Sequence, residues 1–189
     1  MTNILVLTAL KSELDAERAP HGVEVIYSGV GKINTAMVTT AALLAAKPRL
    51  VVNYGTCGKI SGALHGLVEV LHVVQRDMMA MPLAPRGVTP LSDEKSILSS
   101  GFGTAICGTG DSFVTAHDPW LIDNKVDVVD MELFAIAHIC ARYDVPWRAF
   151  KFITDEANDT AHEHWTANVA NGEDLFWSIL NRDILGRDQ

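Results

Sequence analysis

The chain alternates between short apolar runs and longer stretches in which apolar residues recur three and four positions apart. Continuous runs at 3–7, 23–27, 50–53, 67–74, 104–107 and 147–154 predict strands, several of them buried on both faces, and Val128 with Val129 predicts one more. Ile33, Ala36, Met37, Thr40, Ala41 and Leu44 predict a helix that packs through this stripe and stops before Pro48. Leu133, Ile136, Ala137 and Cys140 predict a second helix, closed near Tyr143 by the turn into Pro146. Leu175, Phe176, Ile179 and Leu180 predict the inner side of a last helix running from about Trp165 to Leu185. The glycine-bearing stretch 54–59 predicts a turn out of its strand, and the three prolines and three methionines of 78–90 predict an irregular apolar loop. Strands alternating with helices predict one α/β domain over residues 1–189 with a largely parallel or mixed sheet.

Three carboxylates follow predicted strands: Glu13, Glu132 and Asp155. In an open α/β sheet ligands bind where the carboxyl ends of strands gather, so the three are expected at one edge. Asp130 and Glu132 also suit the first turn of a helix, whose unpaired N–H groups and dipole favour negative charge. Glycines at 55 and 58 let backbone N–H groups approach a ligand closely. With Phe113, these residues predict a small polar pocket for a neutral, flat, hydroxyl-rich molecule.

Composition narrows the choice. The net charge is −8 and the basic residues are scattered, so no nucleic acid partner is expected. Cys57, Cys107 and Cys140 are odd in number and lie in apolar or glycine-rich surroundings, as reduced thiols of a cytoplasmic protein would. The opening apolar run is too short for a signal-peptide core, and no run is long enough to span a bilayer, so no membrane association is expected. His162 and His164, two apart, diverge on a helix and have no further ligand at useful spacing, so neither metal nor cofactor is expected. His138 reads as a packed or surface histidine. Gly31-Lys32 lacks the spacing of a triphosphate loop, and no Gly-x-Gly-x-x-Gly follows a strand, which argues against a dinucleotide-binding oxidoreductase.

Six pieces, at 9–13, 28–32, 53–58, 110–114, 129–140 and 145–157, resemble in order the nucleoside phosphorylase superfamily, and within it the methylthioadenosine/S-adenosylhomocysteine nucleosidases. The resemblance implies a three-layer, phosphorylase/hydrolase-like α/β fold, a central twisted mixed sheet flanked by helices, assembled as a homodimer. It also implies a small-molecule partner, a purine nucleoside. Glu13 then matches the glutamate that orients and deprotonates water, and Asp155 the aspartate that protonates the leaving base beside N7. Glu132 matches the ribose clamp, with Met131 under the sugar and Thr56 near it, next to Cys57 and Gly58 of the glycine turn. Phe113 and Val114 match the residues that stack on the base and bond its edge, and Trp165 an aromatic that closes the pocket of the 5′ group.

Cleaving an N-glycosidic bond builds positive charge on the sugar and negative charge on the departing purine, so a carboxylate near the sugar and a proton donor at the base both act in the transition state. Asp155 as donor requires a desolvated carboxyl. Phosphorolysis would need arginines that the hexameric phosphorylases carry; Asn53 stands at the first of those positions, and the loop after the first strand lacks the second. Water is therefore the expected nucleophile and adenine the expected product. Phosphorolysis, another 5′-modified nucleoside as in the futalosine and hopanoid branches, and a non-catalytic nucleoside-binding protein are the competing readings. Asp130 replaces the family's usual glutamate, and the region 76–90 is shortened near the 5′ substituent.

Overall fold

A computed structural model describes residues 3–60, 64–155 and 170–186. Among the described residues eight strands form one mixed sheet: β1 (Ile4–Thr8), β2 (Val23–Tyr27), β3 (Leu50–Lys59), β4 (Leu67–Gln75), β5 (Ile97–Ser99), β6 (Ala105–Thr109), β7 (Val128–Asp130) and β8 (Trp147–Asp155). Their order is β2-β1-β3-β7-β6-β4-β5, with β8 paired to both β3 and β4. Strands β3, β8, β4, β6 and β7 therefore close on themselves in a ring. The long β3 makes this possible, and its ladder with β8 shifts register between Cys57 and Gly58, where β8 carries one extra residue, Thr154.

Side chains alternate across β1. Leu5 and Leu7 join Leu43, Leu133, Ile136, Ala137 and Cys140 of α1 (Lys32–Ala46) and α3 (Leu133–Arg142) on one face. Ile4 and Val6 join Phe176, Trp177, Leu180 and Ile184 on the other, from α4 (Glu173–Ile179) and the π-helical turn Leu180–Leu185. Three layers result. A short α2 (Pro119–Asp123) is capped by Asp118.

Several expectations need correction. Residues 54–59 continue β3 instead of turning out of it, because β8 and β7 pair with them. The apolar stripe of α1 faces outward: Ile33, Met37 and Leu44 are 82%, 66% and 60% exposed, while Thr35, Thr39, Ala42 and Leu43 are buried. Small residues allow α1 to approach α3 and the sheet, a demand that hydrophobic period alone does not register. Leu175 is half exposed, and Trp177 takes the inward position instead. Trp165, the predicted start of the last helix, and the histidines at 162 and 164 lie outside the described residues. Strand β5 and helix α2 were not anticipated, being too short to show a period. Among the described residues, no helix is long and apolar enough to cross a membrane.

Candidate active site

The chain returns from the end of β1 through a tight turn that brings Glu13 back beneath Thr8. Glu13 Oε2 accepts from Leu10 N (3.0 Å) and Thr8 Oγ1 (3.2 Å), and Oε1 from Thr56 N (2.9 Å) and Thr56 Oγ1 (2.8 Å). Four donors, from β1, the loop after it and β3, thus fix a carboxylate that is almost wholly buried. Asp155 ends β8 opposite Gly58, across the bulge, and is buried as well. Thr154 Oγ1 lies 2.9 Å from its Oδ2 and 3.3 Å from the Cys57 carbonyl.

Glu132 arrives from the other direction. Strand β7 runs antiparallel to β3, so its end points back along β3 toward Thr56, and the three acids do not gather at the carboxyl ends of a common parallel set. Convergence depends on the overlap of β3 and β7 rather than on one sheet edge.

The two acids around Met131 divide their work in a way the sequence did not indicate. Asp130 serves the helix start: its Oδ2 accepts from Leu133 N (2.8 Å) and Glu132 N (3.3 Å). The same oxygen lies 2.7 Å from Lys151 Nζ, and Oδ1 takes Thr109 Oγ1 and Cys107 Sγ. Burial works against the Asp130 anion, but Lys151 and these bonds hold its carboxyl below the ordinary range. Glu132, at the N-cap position of α3, makes no side-chain cap bond; its Oε1 accepts Gly31 N–H at 2.9 Å. Burial and the neighbouring Asp130 push its carboxyl up to about 7, against the pull of Lys151 and the Gly31 N–H. The helix start therefore does not offset the burial of Glu132, contrary to the simple dipole argument.

A cavity of about 310 Å³ collects these groups. Glu13, Thr56, Cys57, Gly58, Phe113, Val114, Asp130, Met131, Glu132 and Asp155 all line it, so every sequence-predicted site residue within the described part is brought together. Ala9, Leu10, Val30, Arg76, Ser112 and Val129 complete the wall and were not anticipated. Lys151 was also missed, although a lysine inside the apolar run 147–154 signals a buried ion pair. Asn53 is turned into the sheet, donating to the Leu7 carbonyl at 2.9 Å, and does not line the cavity. Among the described residues no group of three or more His, Cys, Asp or Glu side chains is placed to hold a metal ion.

Known proteins share this arrangement of chain. The Anoxybacillus flavithermus 5′-methylthioadenosine/S-adenosylhomocysteine nucleosidase is 29% identical over 160 residues, 71% of this chain and 68% of the relative. The Haemophilus ducreyi protein of the same name is 28% identical over 163 residues, 74% and 70% of the two chains. Among solved structures, a Helicobacter pylori nucleosidase of that name, with butyl-thio-DADMe-Immucillin-A, superposes with a TM-score of 0.83 at 20% identity, covering 96% of this chain and 99% of that one. A futalosine hydrolase mutant of Helicobacter pylori reaches 0.79 at 20% identity, covering 91% and 94%. The sequence profile of the phosphorylase superfamily matches residues 75–176, more than half of the chain, from the end of β4 through Phe176, and the protein belongs to that superfamily.

Proposed function

We propose that the protein is a purine nucleosidase that hydrolyses the N-glycosidic bond of a 5′-substituted adenosine, of the methylthioadenosine/S-adenosylhomocysteine type, and releases adenine. The observation that carries this reading is the meeting of Glu13, Glu132 and Asp155, all buried, on one cavity of nucleoside size. The names of the relatives agree with it.

In this reading Asp155 gives a proton to the departing purine, Glu13 takes one from water, and Glu132 with Met131 holds the ribose. Each role uses the geometry. Glu13 cannot swing, being held by Thr8, Leu10 and Thr56, so a water beside it meets the sugar at a fixed angle. Asp155 is buried on the cavity wall, within reach of a base seated there. Arg76 on the cavity wall is turned to loop carbonyls and Lys151 behind it is held by Asp130, so a phosphate dianion would face Glu13 without a dedicated partner. Water is the nucleophile on that ground. The outward stripe of Ile33, Met37 and Leu44 supports a homodimer, since an apolar face of this kind calls for a second surface. Three buried free thiols support a cytoplasmic setting.

The test is incubation with methylthioadenosine, S-adenosylhomocysteine, adenosine, futalosine and inosine, with and without phosphate, and identification of the released base. Adenine released at equal rates without phosphate is expected. Strict phosphate dependence, or hypoxanthine from inosine as the preferred product, would overturn the assignment.

A further inference from the structure

We propose that Arg76 is a positioning residue for base recognition, its guanidinium holding segment 110–114 so that Phe113 and Val114 face the purine; this rests on the reading of the cavity given above. Arg76 follows β4, and β6, paired with β4 up to Gln75 and Thr109, leads straight into that segment. The Arg76 N–H donates to the Thr109 carbonyl at 2.9 Å, which extends the ladder by one bond. From there the side chain reaches across: Nη2 donates to the carbonyls of Gly110 (3.1 Å) and Ser112, and Nη1 lies 3.3 Å from Ser112 Oγ.

The segment is built against the guanidinium. A Cβ on Gly110 would stand 2.9 Å from Arg76 Cζ and 3.0 Å from Asp77 Cγ, so a side chain there would have to displace the guanidinium. Asp77 Oδ2 accepts the Asp111 N–H at 2.9 Å, which leaves Gly110, Asp111 and Ser112 each held by the Arg76-Asp77 dipeptide. The dipeptide is itself anchored. Arg86 Nε donates to the Arg76 carbonyl at 2.6 Å, and its guanidinium forks onto Asp118, at 3.0 and 2.6 Å, where α2 begins.

Burying a guanidinium is costly unless its donors are used, and Arg76 is only 5% exposed, with Nε unpartnered among the described residues. Its planar fork spans two carbonyls and a hydroxyl; an ammonium on a flexible stem would reach fewer. Phe113, next along the chain, is 47% exposed, and its backbone follows directly from Ser112, which Arg76 holds.

The test compares wild type, R76K and R76M in three measurements: steady-state kinetics with methylthioadenosine, calorimetric affinity for free adenine, and thermal midpoint. Loss of the fork is expected to raise both KM and the adenine Kd about tenfold in R76M, the equivalent of one good polar contact, with kcat changing less. R76K, which keeps charge and stem, is expected to fall between, and decides the matter if R76M does not fold. A lowered thermal midpoint with adenine Kd within about twofold of wild type in an active enzyme would overturn this inference alone. A wild type that binds adenine, weakened by R76M, yet releases none from any nucleoside would overturn the hydrolase reading alone. A wild type that does neither overturns both.

Discussion

Asp130 Oδ2 lies 2.7 Å from Lys151 Nζ, and neither side chain is more than 1% exposed. Removing one partner strands the other charge in the interior, which costs about 3–5 kcal/mol, more than the pair itself contributes. K151M should lose stability of that order in urea denaturation, and D130N/K151M, which removes the stranded charge but keeps an acceptor for Leu133 N, should regain a good part of it. Equal stability of K151M and wild type would show that the pair is solvated. Lys151 also draws the Glu132 carboxyl down, so K151M should move the acid limb of kcat/KM to higher pH.

The two acid–base candidates make separable predictions. E13Q keeps the acceptor for Thr56 but cannot take a proton, and D155N keeps the shape of Asp155 but cannot give one. Each should lower kcat by roughly 10²–10⁴-fold with little change in KM. Full turnover by either variant would remove that residue from the mechanism.

Glu132 yields a pH dependence with a definite sign. Its carboxyl rises from the ordinary 4.5 to about 7, so the folded state binds this proton more tightly than the unfolded state. Stability attached to this group therefore declines as pH rises from about 4.5 to about 7 and levels off above, a change of about 3 kcal/mol. E132Q retains an acceptor for Gly31 N–H and lacks the titration. Its stability minus that of wild type should grow across this window, while parallel curves would mean that burial does not raise the carboxyl. Because ribose hydroxyls are donors, kcat/KM of wild type should fall as pH drops below about 7.

The outward stripe of α1 is tested by changing it alone. I33E with M37E alters two residues that are 82% and 66% exposed, so the isolated chain should fold as before. Sedimentation should then report a dimer for wild type and a monomer for the variant. A dimer unaffected by both charges would move the contact elsewhere.

Much of this molecule was legible in the sequence, for identifiable reasons. The continuous apolar run gave away β1 because a strand buried on both faces needs one, and the inner face of α3 followed its period. Segments 54–59 and 110–114 drew attention through glycines that a cavity wall requires. Other features were hidden because they depend on partners distant in the chain. Nothing local says that Thr35 and Thr39 turn inward while Met37 turns out, since α3 selects them. The reach of β3 to Lys59 is a property of β7 and β8. The division of labour between Asp130 and Glu132 depends on Lys151 and Gly31, each supplied by a separate element.

Gly31 is the residue from which α1 begins, and its N–H is bound by Glu132. One end of that helix thus grips Glu132, the proposed sugar clamp, while its outer side carries the uncovered apolar stripe. A copy seated on the stripe would brace the clamp through a single rigid rod. Specific activity should then depend on enzyme concentration, falling on dilution below the point at which copies separate and returning when they are mixed again.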